Sequence, residues 1–305
     1  MTKVFHLPIL CLLLLAYTSQ LWAQGCCSGG SGSPIAGGTS QGVLAEHQVE
    51  TGISYQYIHA NTFFTGDKKT SALFDHFSSH YLYLRLAYGL TKNLTFSVES
   101  GYFESKTQVG LAQRDTIHTS GIGDLILFPR YNILTYNTEK TRNEITVGLG
   151  YKFPVGSCHD SNLVYTNPVT GHKTFTIAPP TLQPTNGSQD VLFYGFLFRG
   201  YPEHSFRLFA NVLYIHKGWN ALGERFGDYT GIGLFAGKNF FRKLVLTLQL
   251  KGERTGKMKY DKKVDVLAYY NVDVLSTGNK KLSMVPQLSY TRKNFTAYAL
   301  TDIPL

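Results

Sequence analysis

Cysteine is scarce in this chain, with four among 305 residues. Neither a small disulfide-built domain nor a cysteine-rich metal module is available to it. Charge is thin as well. Charged residues make up 16% of the sequence, against roughly 25% in an ordinary soluble domain. Long apolar runs are missing too. The longest, residues 9–16, stops far short of the ~20 residues that a membrane-spanning helix needs. Disorder is excluded from the opposite direction, because it requires few aromatics and high net charge, and the chain carries 20 Tyr and 20 Phe. With 30 Gly and a mean hydropathy of −0.11, the composition suits an all-β protein, in water or in a membrane.

The first residues point to export. Lys3 supplies a short positive n-region, residues 9–16 (ILCLLLLA) an apolar h-region, and Leu21-Trp22-Ala23 a cleavage-like site before Gln24. Polar Thr18, Ser19 and Gln20 follow the apolar run at once, so residues 1–23 read as a signal peptide rather than an anchor. Removing them takes away Lys3 and no acidic residue, lowering the formal net charge of +9 by one. Residues 24–46 then read as a Gly/Ser-rich periplasmic segment, flexible over residues 25–38. Ala23-Gln24-Gly25-Cys26 puts a small residue before Cys26 but lacks the branched aliphatic residue of a lipidation signal, which leaves Cys26 a lipidation candidate. Cys26 and Cys27 are also of the type that binds soft metals, without zinc-like spacing.

From about Gln48 the chain repeats one pattern. Leu82, Leu84, Leu86, Tyr88 and Leu90 alternate with Tyr83, Arg85, Ala87 and Gly89. Leu94, Phe96, Val98 and Tyr102 alternate with Thr95, Ser97, Glu99 and Gly101. The same holds for Ile145, Val147, Leu149, Tyr151 and Phe153 against Thr146, Gly148, Gly150 and Lys152, and for the leucines 244, 246, 248 and 250. Period two over this length marks β-strands with one polar face. Strands are expected at 48–58, 79–90, 94–104, 121–134, 144–154, 190–199, 205–216, 228–238, 243–254, 282–290 and 295–303, eleven in all.

Their connections alternate in length. Those at 91–93, 200–203, 239–242 and 292–294 are tight, whereas those at 60–78, 105–120, 156–188 and 255–280 are long. A soluble sandwich has no reason to sort its loops in this way. An outer-membrane barrel does, with short periplasmic turns and long external loops. The expected fold is therefore a transmembrane antiparallel up-and-down β-barrel over residues 47–305, with about 12 strands because bacterial barrels use even numbers. One strand is then unaccounted for beyond residue 305 or miscounted, with the β-rich stretch 264–275 a poor substitute. On the polar face lie Glu50, Arg85, Glu99, Asp124, Arg130, Lys152, Arg199, Arg207, Lys251 and Glu253. These are the lumen candidates, with Ser54, Ser97, Gly148 and Gly150 leaving room between them. Six cations against four anions predict a mildly anion-favouring interior or a paired charge ladder. Tyr55, Tyr57, Tyr88, Tyr102, Tyr131 and Tyr214 fall near strand ends on apolar faces, as interfacial girdles do.

Several pieces resemble a family. Gly121-Ile-Gly-Asp-Leu-Ile-Leu-Phe-Pro-Arg-Tyr is similar to a GxGDLxLxxKY strand of the outer-membrane transporters named after the MetA pathway of phenol degradation. Gly148-Leu-Gly-Tyr-Lys-Phe-Pro-Val-Gly resembles their next strand, and Leu182-Gln-Pro-Thr-Asn-Gly-Ser-Gln-Asp the return of the following loop, with Gln189 where the family has Trp. Leu282-Ser-Met-Val-Pro-Gln-Leu-Ser-Tyr resembles their penultimate hairpin. The resemblance covers roughly residues 45–305 and implies a porin-like channel, with no catalytic residue carried over.

Chemical motifs elsewhere are weak. Ser157-Cys158-His159-Asp160 sets nucleophile and base types side by side, but neighbours in sequence do not make a triad. His159 and His172 complete no metal spacing. Gly121-Ile-Gly and Gly231-Ile-Gly lack a following helix, so neither is a dinucleotide loop. His80 and His216, at strand ends, have no evident partner for hydrolytic work. The scattered basic residues form no nucleic-acid footprint. The expectation is a non-enzymatic channel for small solutes, with outer-membrane lipid as partner and no cofactor. The alternative is a structural or adhesive barrel with a plugged lumen.

Overall fold

The computed structural model describes residues 42–111, 116–241, 243–263 and 277–305. The signal peptide, Cys26, Cys27 and the stretch 264–275 thus lie outside the described residues.

Eleven strands form one antiparallel meander. They are β1 (Val49–Ala60), β2 (His76–Gly89), β3 (Leu94–Val109), β4 (Leu125–Asn137), β5 (Arg142–Phe153) and β6 (Asp190–Tyr201), followed by β7 (Phe206–Lys217), β8 (Tyr229–Phe240), β9 (Leu244–Thr255), β10 (Asn279–Arg292) and β11 (Phe295–Leu300). Each pairs with its neighbours in sequence, so all the expected strands are present in the expected order. Thr116–Ile122 adds a short strand beside β3, and Ile303–Pro304 continues the line of β11 along β10. The sheet curls into a half-barrel. Among the described residues β1 pairs only with β2, and β11 only with β10. An odd count leaves β1 and β11 running in the same direction, so antiparallel closure requires one further strand.

The turns sort as expected. Tight turns join β2 to β3, β4 to β5, β6 to β7, β8 to β9 and β10 to β11. Three of them place a non-glycine residue in the left-handed region: Ser205, Phe241 and Lys293, with φ of 49°, 52° and 54°. The turn after β4, unassigned from sequence, is a hairpin at 138–141 closed by the Thr138 N–H on the Thr141 carbonyl at 2.8 Å. Long connections lie at the other end.

The alternation is borne out by burial. On β2, Leu82, Leu84, Leu86 and Tyr88 are exposed, while Tyr83, Arg85 and Ala87 are buried. In a membrane the exposed rows would face lipid. Tyr88, opposite Val49, and Tyr131, opposite Leu94, lie at the short-turn end. Tyr55 and Tyr102, both opposite Leu82, lie six residues further up. That is about 20 Å along the strand, close to the ~25 Å apolar band of such walls.

Candidate functional site: the concave face and its mouth

The concave face holds three groups of charge. In the first, near the middle of β2 and β3, Arg85 reaches Glu50 and Glu99, each at 3.4 Å. The Tyr83 hydroxyl and the Ser97 hydroxyl donate to Glu99, the latter at 3.0 Å. Arg130 lies within electrostatic reach of Arg85, Glu99 and Glu50. The second group sits at the long-loop end. Asp190 is fully buried and lies between Lys152 at 2.9 Å and Lys217 at 3.0 Å, while Lys152 also reaches Asp124 at 3.1 Å. The register explains this placement, because Asp190 is directly opposite Lys217 on one side and Lys152 on the other. In the third group Lys251 pairs with Glu253 at 3.2 Å and with Asp302, which Lys281 also reaches at 3.4 Å.

Each group carries two cations and two anions, so these three groups form a paired ladder, while inward Arg207 stands outside them with its guanidinium 6.0 Å from the Phe209 ring centroid. The sequence list missed Asp190, Lys217, Lys281 and Asp302, two anions and two cations, so its excess of cations came from counting Arg199 and Arg207. Asp190 shares strand parity with buried Leu192 and Tyr194, which is the signal that could have found it.

Between the groups runs a lane of rings. Phe128, Leu192, Tyr194, Phe196 and Leu213 form a buried cluster, joined by Phe198 and Phe209. Phe209 stacks on Phe235 with centroids 4.3 Å apart, and Phe128 meets Tyr194 edge-on at 5.6 Å. Glycines make the seats. A Cβ on Gly150 would come 2.7 Å from the Phe128 ring, and one on Gly101 would collide with the Tyr81 ring at 2.2 Å from its hydroxyl. The space expected beside Gly148 and Gly150 is therefore filled by Phe128.

Two further segments enter the concavity. At the short-turn end the Leu44 N–H donates to the Thr95 hydroxyl at 2.7 Å, and Leu44 is 4% exposed. A Cβ on Gly42 would lie 3.5 Å from both Glu144 and Phe196. Residues 42–45, expected as the end of an outlying linker, thus lie against the inner wall. At the mouth, residues 178–188 of the β5–β6 connection fold inward as a strap. Leu182 is wholly buried with Ala178, Ala60, Phe74, Phe77 and Ile117. The Leu182 carbonyl accepts from Thr119, and the Gln183 carbonyl from Lys106 at 2.7 Å. On the opposite side Thr185 donates to Asp124, Lys152 to the Asn186 side chain, and Asn220 to the Asn186 carbonyl at 2.9 Å. The strap ties β3 to β5 and to the loop after β7.

Of the expected lumen residues, Glu50, Arg85, Glu99, Arg130, Lys152, Arg207, Lys251 and Glu253 face inward on strands. Asp124 is inward but precedes β4 rather than lying within it. Arg199 is corrected. It is exposed, shares parity with exposed Phe193 and Leu197, and lies with its guanidinium 5.6 Å from the Tyr201 ring centroid. The reason is that β6 is apolar on both faces, so alternation alone does not tell inside from outside. Cys158 is free. Burial and the Glu224 carboxylate raise its thiol pKa, the reverse of nucleophile activation. Among the described residues no group of three metal-ligating side chains comes together.

No protein-family profile and no curated protein matches the chain. Its structure does find a likeness, in the crystal structure of an outer-membrane channel from Pseudomonas putida F1. The two share 15% sequence identity and a TM-score of 0.60, over 88% of this chain and 92% of that one. The fold is that of an outer-membrane channel. Within this channel fold, the charge ladder and ring lane occupy the concave face, and the strap lies at its long-loop end.

Proposed function

We propose that the protein is an outer-membrane, porin-like channel that passes small solutes down their gradients, and that it is allied to the transporters of the MetA-pathway resemblance. The observation that carries the reading is a buried, charge-balanced ladder beside an aromatic lane, inside a wall whose outer rows are exposed leucine, valine and tyrosine. Such a wall suits lipid. Such an interior offers polar steps and an apolar track side by side, and passage depends on pore width and local field. With the three charge groups balanced and Arg207 standing outside them, ion selectivity should be slight. Export through residues 1–23 belongs to the same proposal, as does Cys26 lipidation.

Planar-bilayer recording tests it. The expected result is ohmic steps with slight ion preference. A silent bilayer from protein that still shows heat-modifiable migration would overturn the channel. That outcome favours a structural or adhesive barrel, for which the specific support is the chain packed into both ends of the concavity.

A further inference from the structure

The misplaced arginine marks a second site. On the outer face of β4–β8, near the tight turns, lies a depression of about 720 Å³. Its lining includes Leu134, Ile145, Leu197, Leu208, Ala210 and Leu234. Short side chains create it. Ala210 sits opposite Leu197 on one side and Leu234 on the other. One row further up the wall, Gly195 sits opposite Val212 with no side chain of its own. The lower border is different in kind. Arg199 lines the depression there, and exposed Lys238 stands opposite Phe206, whose ring is 6.1 Å from that of Tyr201. Among the described residues no carboxylate pairs with Arg199 or Lys238, whereas the inward-facing cations of the three groups are all matched.

We infer that this depression is a binding site for one anionic diacyl phospholipid of the inner leaflet, its phosphate held by Arg199 and Lys238 and an acyl chain lying over Ala210 and Gly195. The chemistry is complementary at both ends, because the one carboxylate among the described lining residues, Glu144, pairs with Arg142 and reaches toward Gly42 on the concave side. A guanidinium on a lipid-facing wall is costly in hydrocarbon and tolerated at headgroup level, and Arg199 lies two residues from the end of β6. Guanidinium binds phosphate bidentately, and the Tyr201 and Phe206 rings suit the interface. The site rests on the outer-membrane reading above, because only there do the tight turns meet the inner leaflet.

Native mass spectrometry of the folded full chain with added phosphatidylglycerol tests it. One lipid should survive mild delipidation. Retention should fall at least fivefold in an R199Q/K238Q double variant, and comparably in A210F, which fills the depression. Unchanged retention in both variants overturns the site. So does loss in the charge variant alone, which would mean unspecific attraction. Cross-linked dimers abolished by A210F would also overturn it, by assigning the depression to a second copy. Insertion into phospholipid vesicles, scored by heat-modifiable migration, is read separately. A chain that fails to insert removes the membrane reading, whereas an inserted chain without retained lipid removes this site alone.

Discussion

The two halves of the wall solve the same problem with different chemistry. Along β2–β5 the inner rows mix polar and aromatic residues, with Arg85, Ser97, Glu99, Arg130 and Thr146 buried beside Tyr81, Tyr83, Phe103 and Phe128, while the outer rows are mostly leucine, valine and tyrosine. Along β6–β8 both faces are apolar. Leu192, Tyr194, Phe196 and Phe235 are buried against exposed Phe193, Leu197, Ile232 and Leu234. Inside, hydrogen bonds and ion pairs add to ring packing in the first half, whereas ring packing dominates in the second. Buried charges tolerate no missing partner, and packed rings tolerate no change of volume. The halves should therefore fail differently.

The largest effect is expected where they meet, at Asp190. Asp190→Ala takes from buried Lys217 its ion-pair partner and leaves buried Lys152 with Asp124, and should cost about 3–5 kcal/mol, read from urea unfolding followed by gel mobility. Phe196→Ala, in the ring lane, should cost a comparable ~3–5 kcal/mol. It differs in widening the lane, so single-channel conductance should rise. A conductance no greater than wild type would place the lane outside the solute path. Gly150→Ala pushes a methyl toward the Phe128 ring and should cost about 1–3 kcal/mol through overpacking. An unchanged unfolding midpoint would mean that the ring relaxes freely.

Subtler effects separate inside from outside. Arg130→Glu should move the reversal potential in a salt gradient toward cation preference, because it unbalances a matched group. Arg199→Glu should leave that potential alone, since its side chain lies on the outer face. Equal shifts in the two variants would erase the distinction. The smallest effect concerns pH. Burial raises the Asp228 carboxyl, but the Lys217 N–H, the Tyr214 hydroxyl and Arg225 outweigh it and hold the carboxyl below its usual range. A depressed carboxyl contributes stability above the unfolded value of about 3.9, lost as pH falls through the lower folded value. Asp228→Asn should therefore flatten the acid limb of a stability profile below about pH 4; an identical limb would mean that the contacts of Asp228 contribute nothing.

By itself the sequence determined the strand order, the sorting of short and long connections, and the inward face wherever polar and apolar residues alternate. Arg85, Glu99 and Lys152 were legible for that reason. Period two says which residues share a face, and polarity says which face is inside. On β6 polarity is silent, so the expectation puts Arg199 inside and leaves Asp190 off the inner list. Only tertiary structure decided the rest. Register set Asp190 between two lysines, and chain reversal brought Asp302 to Lys251 and Lys281. The inward fold of residues 178–188 depends on carbonyls meeting Lys106 and Thr119 from distant strands. Contacts between residues so far apart in sequence leave no local period to read. The scarcity of charge noted at the outset has the same explanation. The chain carries few charges, and on its concave face the fold sets most of them in balanced groups.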